Sequence, residues 1–527
     1  MMTDAFRTPE YCAACHKVSL PPVINDYRWL RGQDEFDFWD DSGVSRNASR
    51  TFYLPDVRRI CQDCHMPPEP APLGDLAADN GLLRSHRFTA VNTALPFLRG
   101  DTATLRRIET FLQDEKLSVD IFALAAGPGR ATTMDFRNSG ANLTPGRTVT
   151  VDVVVRNRGV GHTFPGGTND SNEGWLEFTL LDADGVVVAQ SGHILPDGRL
   201  DAMAHVFNTV ALDGNSNPVL RRNAQDIRAI AYANVIGPGT ARIAHYEFPV
   251  PARFAGDSLT VRARLLWRKF NRPFTEFAFA SNREAFRSFE AVPSLPITEI
   301  AVDKVVIRVG RNAPIDDDRV TSPADWTRFN DYGIGLLLEG DTRRARQAFR
   351  RVAELRPNEV DGELNLARAA LSDGNLSEAY EHLQRAEEIE PGNPRVAWVW
   401  ANVTQEDGRY DRAETAYRRV LEAFPGDRAA WRNLGRTLYL AGEYEAAIEA
   451  LARVLAIDPE DRIAHYHTML SYRALGRDDA ADLAERAYEF YQIDESAQQI
   501  TRRFLLENPG ANVMSQRIRT HRVELEP

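Results

Sequence analysis

Cysteine is scarce in this chain: 4 residues in 527. That excludes a small scaffold held together by disulfides. Positive charge is also in short supply. Lys and Arg number 63 against 75 Asp and Glu, a formal net charge of −12. A general nucleic-acid binder is excluded on that balance. No apolar run is long enough to span a membrane. A secretory leader is not visible either, because Met1-Met2-Thr3-Asp4 has neither a basic start nor an apolar stretch. The apolar fraction of 43% is ordinary, so cores of normal size are expected. The length implies roughly three domains.

The few cysteines are highly ordered. All four fall in two CxxCH motifs, Cys12-Ala13-Ala14-Cys15-His16 and Cys61-Gln62-Asp63-Cys64-His65. CxxCH is the attachment signature of c-type haem. In a helix, positions i, i+3 and i+4 share one face. Two thiols then reach the two vinyl groups of one porphyrin, and the adjacent histidine is held beneath the iron. Cys12, Cys15, Cys61 and Cys64 are the expected attachment points of two haems c per chain. His16 and His65 are the expected proximal ligands. A four-cysteine zinc site, an iron–sulfur cluster or a pair of redox dithiols would use the same cysteines. None of these requires a histidine after both pairs. Bacteria attach c-type haem outside the cytoplasm, so the expected location is periplasmic or extracellular. On that reading the signal peptide is missing from this chain and the true start of the gene product lies upstream.

The rest of the chain changes period twice. Residues 1–117 hold the motifs, an irregular aromatic stretch from Tyr27 to Trp39 and a proline-rich run from Pro67 to Pro72. This is expected to be an irregular or α-helical dihaem cytochrome c domain. Its last segment, Thr102 to Leu117, reads as an amphipathic helix. Over 118–312 the apolar residues alternate, as in Val149, Val151, Val153 and Val155, or Leu259, Val261, Ala263 and Leu265. Asp184-Gly185 marks a hairpin. An antiparallel, immunoglobulin-like β-sandwich is expected. After a linker at 313–325, residues 326–494 repeat every 34 positions. Pro357, Pro391, Pro425 and Pro459 keep that spacing, as do Gly340, Gly374, Gly408, Gly442 and Gly476. Ala345, Ala379, Ala413, Ala447 and Ala481 follow the glycines by five. Five tetratricopeptide (TPR) repeats in an all-α solenoid are expected. A capping helix and tail complete the chain over 495–527. The array is expected to be separable near Asp316 to Pro323.

An electron-transfer haem needs a sixth ligand. His86, in Ser85-His86-Arg87-Phe88, lies just past the second motif. His162 lies in the glycine-flanked loop Gly159-Val160-Gly161-His162-Thr163-Phe164-Pro165, and loops on rigid sheets often carry function. These two are the first candidates; His193 and His205 are weaker ones. His245 alternates away from Tyr246, Phe248 and Val250, so it is expected to face solvent. Met66 cannot reach the opposite face of the ring and is expected to pack against it. His382, His465 and His467 are expected to be surface or groove residues of the array.

The chain resembles the bacterial exported multihaem c-type cytochromes in which a haem domain precedes a β domain and a TPR array. The resemblance rests on Tyr11 to Lys17, Cys61 to Pro67, Ser85 to Pro96, and Gly161-His162-Thr163-Phe164-Pro165-Gly166-Gly167 followed by Trp175. It implies export, mostly bis-histidine haems, and His86 and His162 as ligands. Such proteins often carry further CxxCH motifs upstream. The expected function is relay of electrons between redox protein partners, with the array docking a protein ligand. The expected partners include neither nucleic acid nor a membrane crossed by this chain. A multihaem reductase of a small nitrogen or sulfur oxyanion is one alternative. A TPR scaffold with a structural or sensory haem is the other.

Overall fold

The structure, a computed structural model, describes residues 4–127, 132–138, 142–252, 256–282, 289–310, 321–492 and 497–526. The expected linker at 313–325 falls mostly outside these residues.

The first ninety residues make short helices, Pro9–His16, Glu35–Asp40 and Cys61–His65, and two small ladders. Among the described residues, no hydrophobic cluster takes a buried member from this stretch. Val23, Val57, Leu73 and Leu76 are instead exposed. Helix Thr102–Gln113 follows, with Ile108 and Leu112 buried. It stops four residues short of the expected end, because Leu117 opens the first long strand.

The middle of the chain is rich in sheet. One sheet runs in the order Thr520–Arg522, Ala241–Pro249, Thr148–Asn157, Leu117–Ala125, Thr132–Met134. The other runs Val187–Ser191, Glu173–Leu181, Ser258–Arg268, Thr298–Val309, Asn142–Leu143, and His205–Phe207 also pairs with Glu173–Leu181. Alternating residues of both sheets share one core, in which Phe178 stacks on Tyr246 at 4.2 Å. The expected hairpin turn is present, with Gly185 at φ +83° between its strands.

Five antiparallel helix pairs follow, from Trp326–Glu339 with Thr342–Leu355 to Arg462–Ala474 with Asp478–Phe490. The periodic glycines sit between the helices of each pair at φ +68° to +86°, where a side chain would be strained. The five periodic alanines are fully buried. Close approach demands more small residues than the spacing revealed. A Cβ on Gly362 would lie 2.6 Å from the backbone N of Ala353.

The array is not a separable bead. Its first helices share a core with the sheet: Phe329, Tyr332 and Phe349 pack against Phe122, Val154 and Ile243. Arg328 reaches Asp120 and Asp135 across the junction. The end of the chain also returns to the sheet. Thr520–Arg522 pairs in parallel with Ala241–Pro249, and Phe504 of helix Gln498–Glu507 packs on Leu212 and Ala229.

His245 corrects an expectation. It is 3% exposed, with Nδ1 2.6 Å from Asp152 Oδ1 and Nε2 3.0 Å from Glu339 Oε2. Alternation did place it opposite Tyr246 and Phe248, but helix Trp326–Glu339 covers that face. Burial would lower its pKa, yet the charges of Asp152 and Glu339 win and raise it to about 10.

Candidate haem-attachment site

Both CxxCH motifs are helical, so each pair of thiols shares a face with its histidine. All four thiols are free. The motifs lie side by side. Burial together with the neighbouring Cys12 pushes the Cys61 thiol up to about 12. Gln62, 4% exposed, donates to the Thr8 carbonyl at 2.8 Å and ties the second motif to the front of the first. Arg84 bonds the Gln62 carbonyl and Asp63, which fixes the second helix against the hairpin behind it. Among the described residues, no three His, Cys, Asp or Glu side chains gather around a point that could hold a bare metal ion.

The histidines have the clearest geometry. His65 and His162, 97 positions apart, are neighbours, with ring centroids 6.3 Å apart and planes 12° from parallel. Two imidazoles bound to one metal ion at about 2 Å each, with a ring radius behind each nitrogen, place their centroids roughly 6 Å apart. His65 Nδ1 lies 2.8 Å from the Thr89 carbonyl, and His162 Nδ1 lies 2.8 Å from the Thr163 carbonyl. A carbonyl only accepts, so each Nδ1 carries the proton and each Nε2 keeps a free lone pair. Among the described residues neither Nε2 has a hydrogen-bond partner. Burial holds both rings below the usual histidine pKa, which favours the neutral, ligating form. His16 shows the same pattern with a charged acceptor. Its Nδ1 is 3.2 Å from Glu35 Oε2, and that bond raises its pKa.

These residues fit haem c. The Nε2 lone pairs of His65 and His162 and the helical thiols of Cys61 and Cys64 are the donor types that such a group would use. The structure draws His65 and His162 together and leaves His86 exposed, its ring against Phe88 at 6.0 Å. His193 is half-buried and its Nδ1 has no partner. His205 is engaged elsewhere: fully buried, it bonds His521 through Nδ1 at 2.9 Å and Asn234 through Nε2 at 3.3 Å.

Two positions escaped the sequence reading. Glu35 accepts from His16 and from the Gly167 backbone N–H, so one carboxylate joins the first motif to the loop that carries His162. Burial would raise its pKa, but these donors hold it down. The hint was an acidic residue in the aromatic stretch between the motifs. Gly166 is the second. A Cβ there would lie 2.9 Å from His162 Cε1 and 3.2 Å from Nδ1. Gly166→Ala should therefore displace the His162 ring and cost about 1–3 kcal/mol. A chemical-unfolding curve checks it; an unchanged midpoint would show that the loop has room.

Comparisons with known proteins reach only the helical part. Sequence models of the tetratricopeptide repeat match residues 336–398 and 399–462. Among solved structures, a crystal structure of MamA protein is 22% identical, with TM-score 0.29 over 33% of this chain and 93% of that one. Pseudomonas aeruginosa pilF is 16% identical, with TM-score 0.31 over 37% and 89%. No curated protein matches the chain. Such repeats bind protein partners in general. Residues 336–462 are thus a tetratricopeptide-repeat array.

Proposed function

We propose that the chain is a covalent-haem electron carrier built on a repeat scaffold, working in the periplasm or outside the cell. The observation that carries this reading is the close pair His65 and His162, each with its Nδ1–H donated to a carbonyl. Cys61 and Cys64 would hold one haem c, with His65 and His162 as its axial ligands. Cys12, Cys15 and His16 would hold the other, with His86 as the candidate sixth ligand. Bound there, haem c supplies a one-electron couple. The chain's own residues set its conditions. Thr89 and Thr163 orient the two imidazoles, and Glu35 makes His16 a stronger donor. We read the two facing sheets as an immunoglobulin-like sandwich: Leu117–Ala125, Thr148–Asn157 and Ala241–Pro249 form one layer, and Glu173–Leu181, Ser258–Arg268 and Thr298–Val309 the other. In it the His162 loop makes the sandwich part of the haem site.

The repeat array favours a second reading, a protein-interaction scaffold whose haem is structural or sensory. Anaerobic titration separates the readings. A carrier takes up two electrons per chain, returns them to a small redox protein within milliseconds, and binds no carbon monoxide. Slow, incomplete reoxidation would favour the scaffold. Immediate carbon monoxide binding would point to an open iron and to the reductase alternative.

A further inference from the structure

We propose that the concave groove of the repeat array is a binding site for the chain's own segment 47–53, so that its ligand is held in cis and an outside peptide is shut out. Four successive first helices of the repeats grip this irregular stretch, which runs from the fourth repeat to the first. Asp427, which caps Arg428–Ala441, accepts both the backbone N–H and the hydroxyl of Ser49, each at 2.9 Å. Arg368 of Asp361–Ser372 donates to the Thr51 carbonyl at 2.9 Å and lies over the Phe52 ring at 4.8 Å. Arg395 of Pro394–Glu406 donates to the Phe52 carbonyl at 2.6 Å. In Trp326–Glu339, Asp331 accepts from the Tyr53 hydroxyl at 2.6 Å, and Asn330 donates to it at 2.9 Å.

This is how a groove holds an extended peptide. The arginines and Asp427 bind main chain, which any sequence offers. The Ser49 hydroxyl, the Phe52 ring and the Tyr53 hydroxyl supply the choice. Ala48 and Ser49 are 1% and 0% exposed, and Asp427 is 1% exposed, so the contact excludes water. The grip extends to the first motif. Lys17, next to His16, pairs with Asp458 at 3.0 Å, and Arg428 pairs with Asp41 at 2.6 Å. A tethered ligand competes at an effective concentration on the order of millimolar. An outside peptide must outbid it, so the groove's work is to fix the segment between the two motifs.

The probe is a dye-labelled peptide of residues 47–54, titrated onto full-length holoprotein and read by fluorescence anisotropy. The double variant Phe52→Ala/Tyr53→Ala should bind it at least about tenfold more tightly than wild type, because its own segment no longer fills the groove. Equal binding, or none by either protein, overturns the proposal. Hydrogen exchange on the unlabelled holoprotein gives a second measurement. The Ser49 amide should exchange slowly in wild type and at least about tenfold faster in Asp427→Ala, while the amides of Asp361–Ser372 keep their rates. Fast exchange at Ser49 in wild type overturns it as well.

Discussion

His162→Ala should convert one of two low-spin ferric irons to high spin and leave the other unchanged. The thioethers of Cys61 and Cys64 would keep the ring attached, so colour and stoichiometry should survive while the sixth ligand is lost. The reduction potential of that haem should rise by on the order of 0.1 V, because loss of imidazole donation destabilises the ferric state. The effect should be confined to the second motif, since His65 is the motif histidine whose ring lies beside that of His162. Electron paramagnetic resonance of the ferric protein is the measurement. An unchanged low-spin signal would show that another group holds the sixth position. His193, whose Nδ1 lacks a partner, would then be the next residue to replace.

His245→Ala should destabilise the junction between sheet and array more than any surface change. The ring bridges Asp152 and Glu339, which are 3% and 2% exposed at their side chains. Asp152 would keep Arg344 and the Tyr332 hydroxyl. Glu339 would lose its bond to the ring, and its other oxygen already has no partner. Breaking such a buried pair costs about 3–5 kcal/mol. A pH signature accompanies it. His245 is raised in the folded state from 6.5 to about 10. Its stabilisation is therefore complete below pH 6.5 and fades as pH climbs towards 10, because the unfolded state gives up the proton first. The unfolding midpoint of wild type should fall more steeply over that window than that of His245→Gln. Parallel slopes would mean that the ring is neutral in the folded protein.

The contrast between His162 and His245 shows what the sequence made legible. The CxxCH pattern is local, so Cys12 to His16 and Cys61 to His65 stand out in the sequence, and both segments are helical. The repeat is periodic, so its turn glycines and buried alanines could be counted. Alternation told which face His245 occupies, but not that a helix some ninety positions later covers that face. The approach of His162 to His65 is likewise long-range. The glycine-flanked loop and the family resemblance marked His162 as a candidate, but not its pairing with His65; neither Thr89 nor Thr163 carries any mark of its role in a carbonyl pair. Glu35 and Gly166 act through a close contact between distant loops. The 47–53 segment has no period at all, so its place in the groove became visible only once four helices lined up beside it.

The central claim is that both motifs carry covalent haem. The most direct test is a pyridine haemochrome titration, with elemental analysis, on protein matured with the c-type haem attachment machinery and then denatured. Two haems and two irons per chain are expected, falling to one of each in Cys12→Ala/Cys15→Ala. Stoichiometric zinc with no bound haem would contradict the claim.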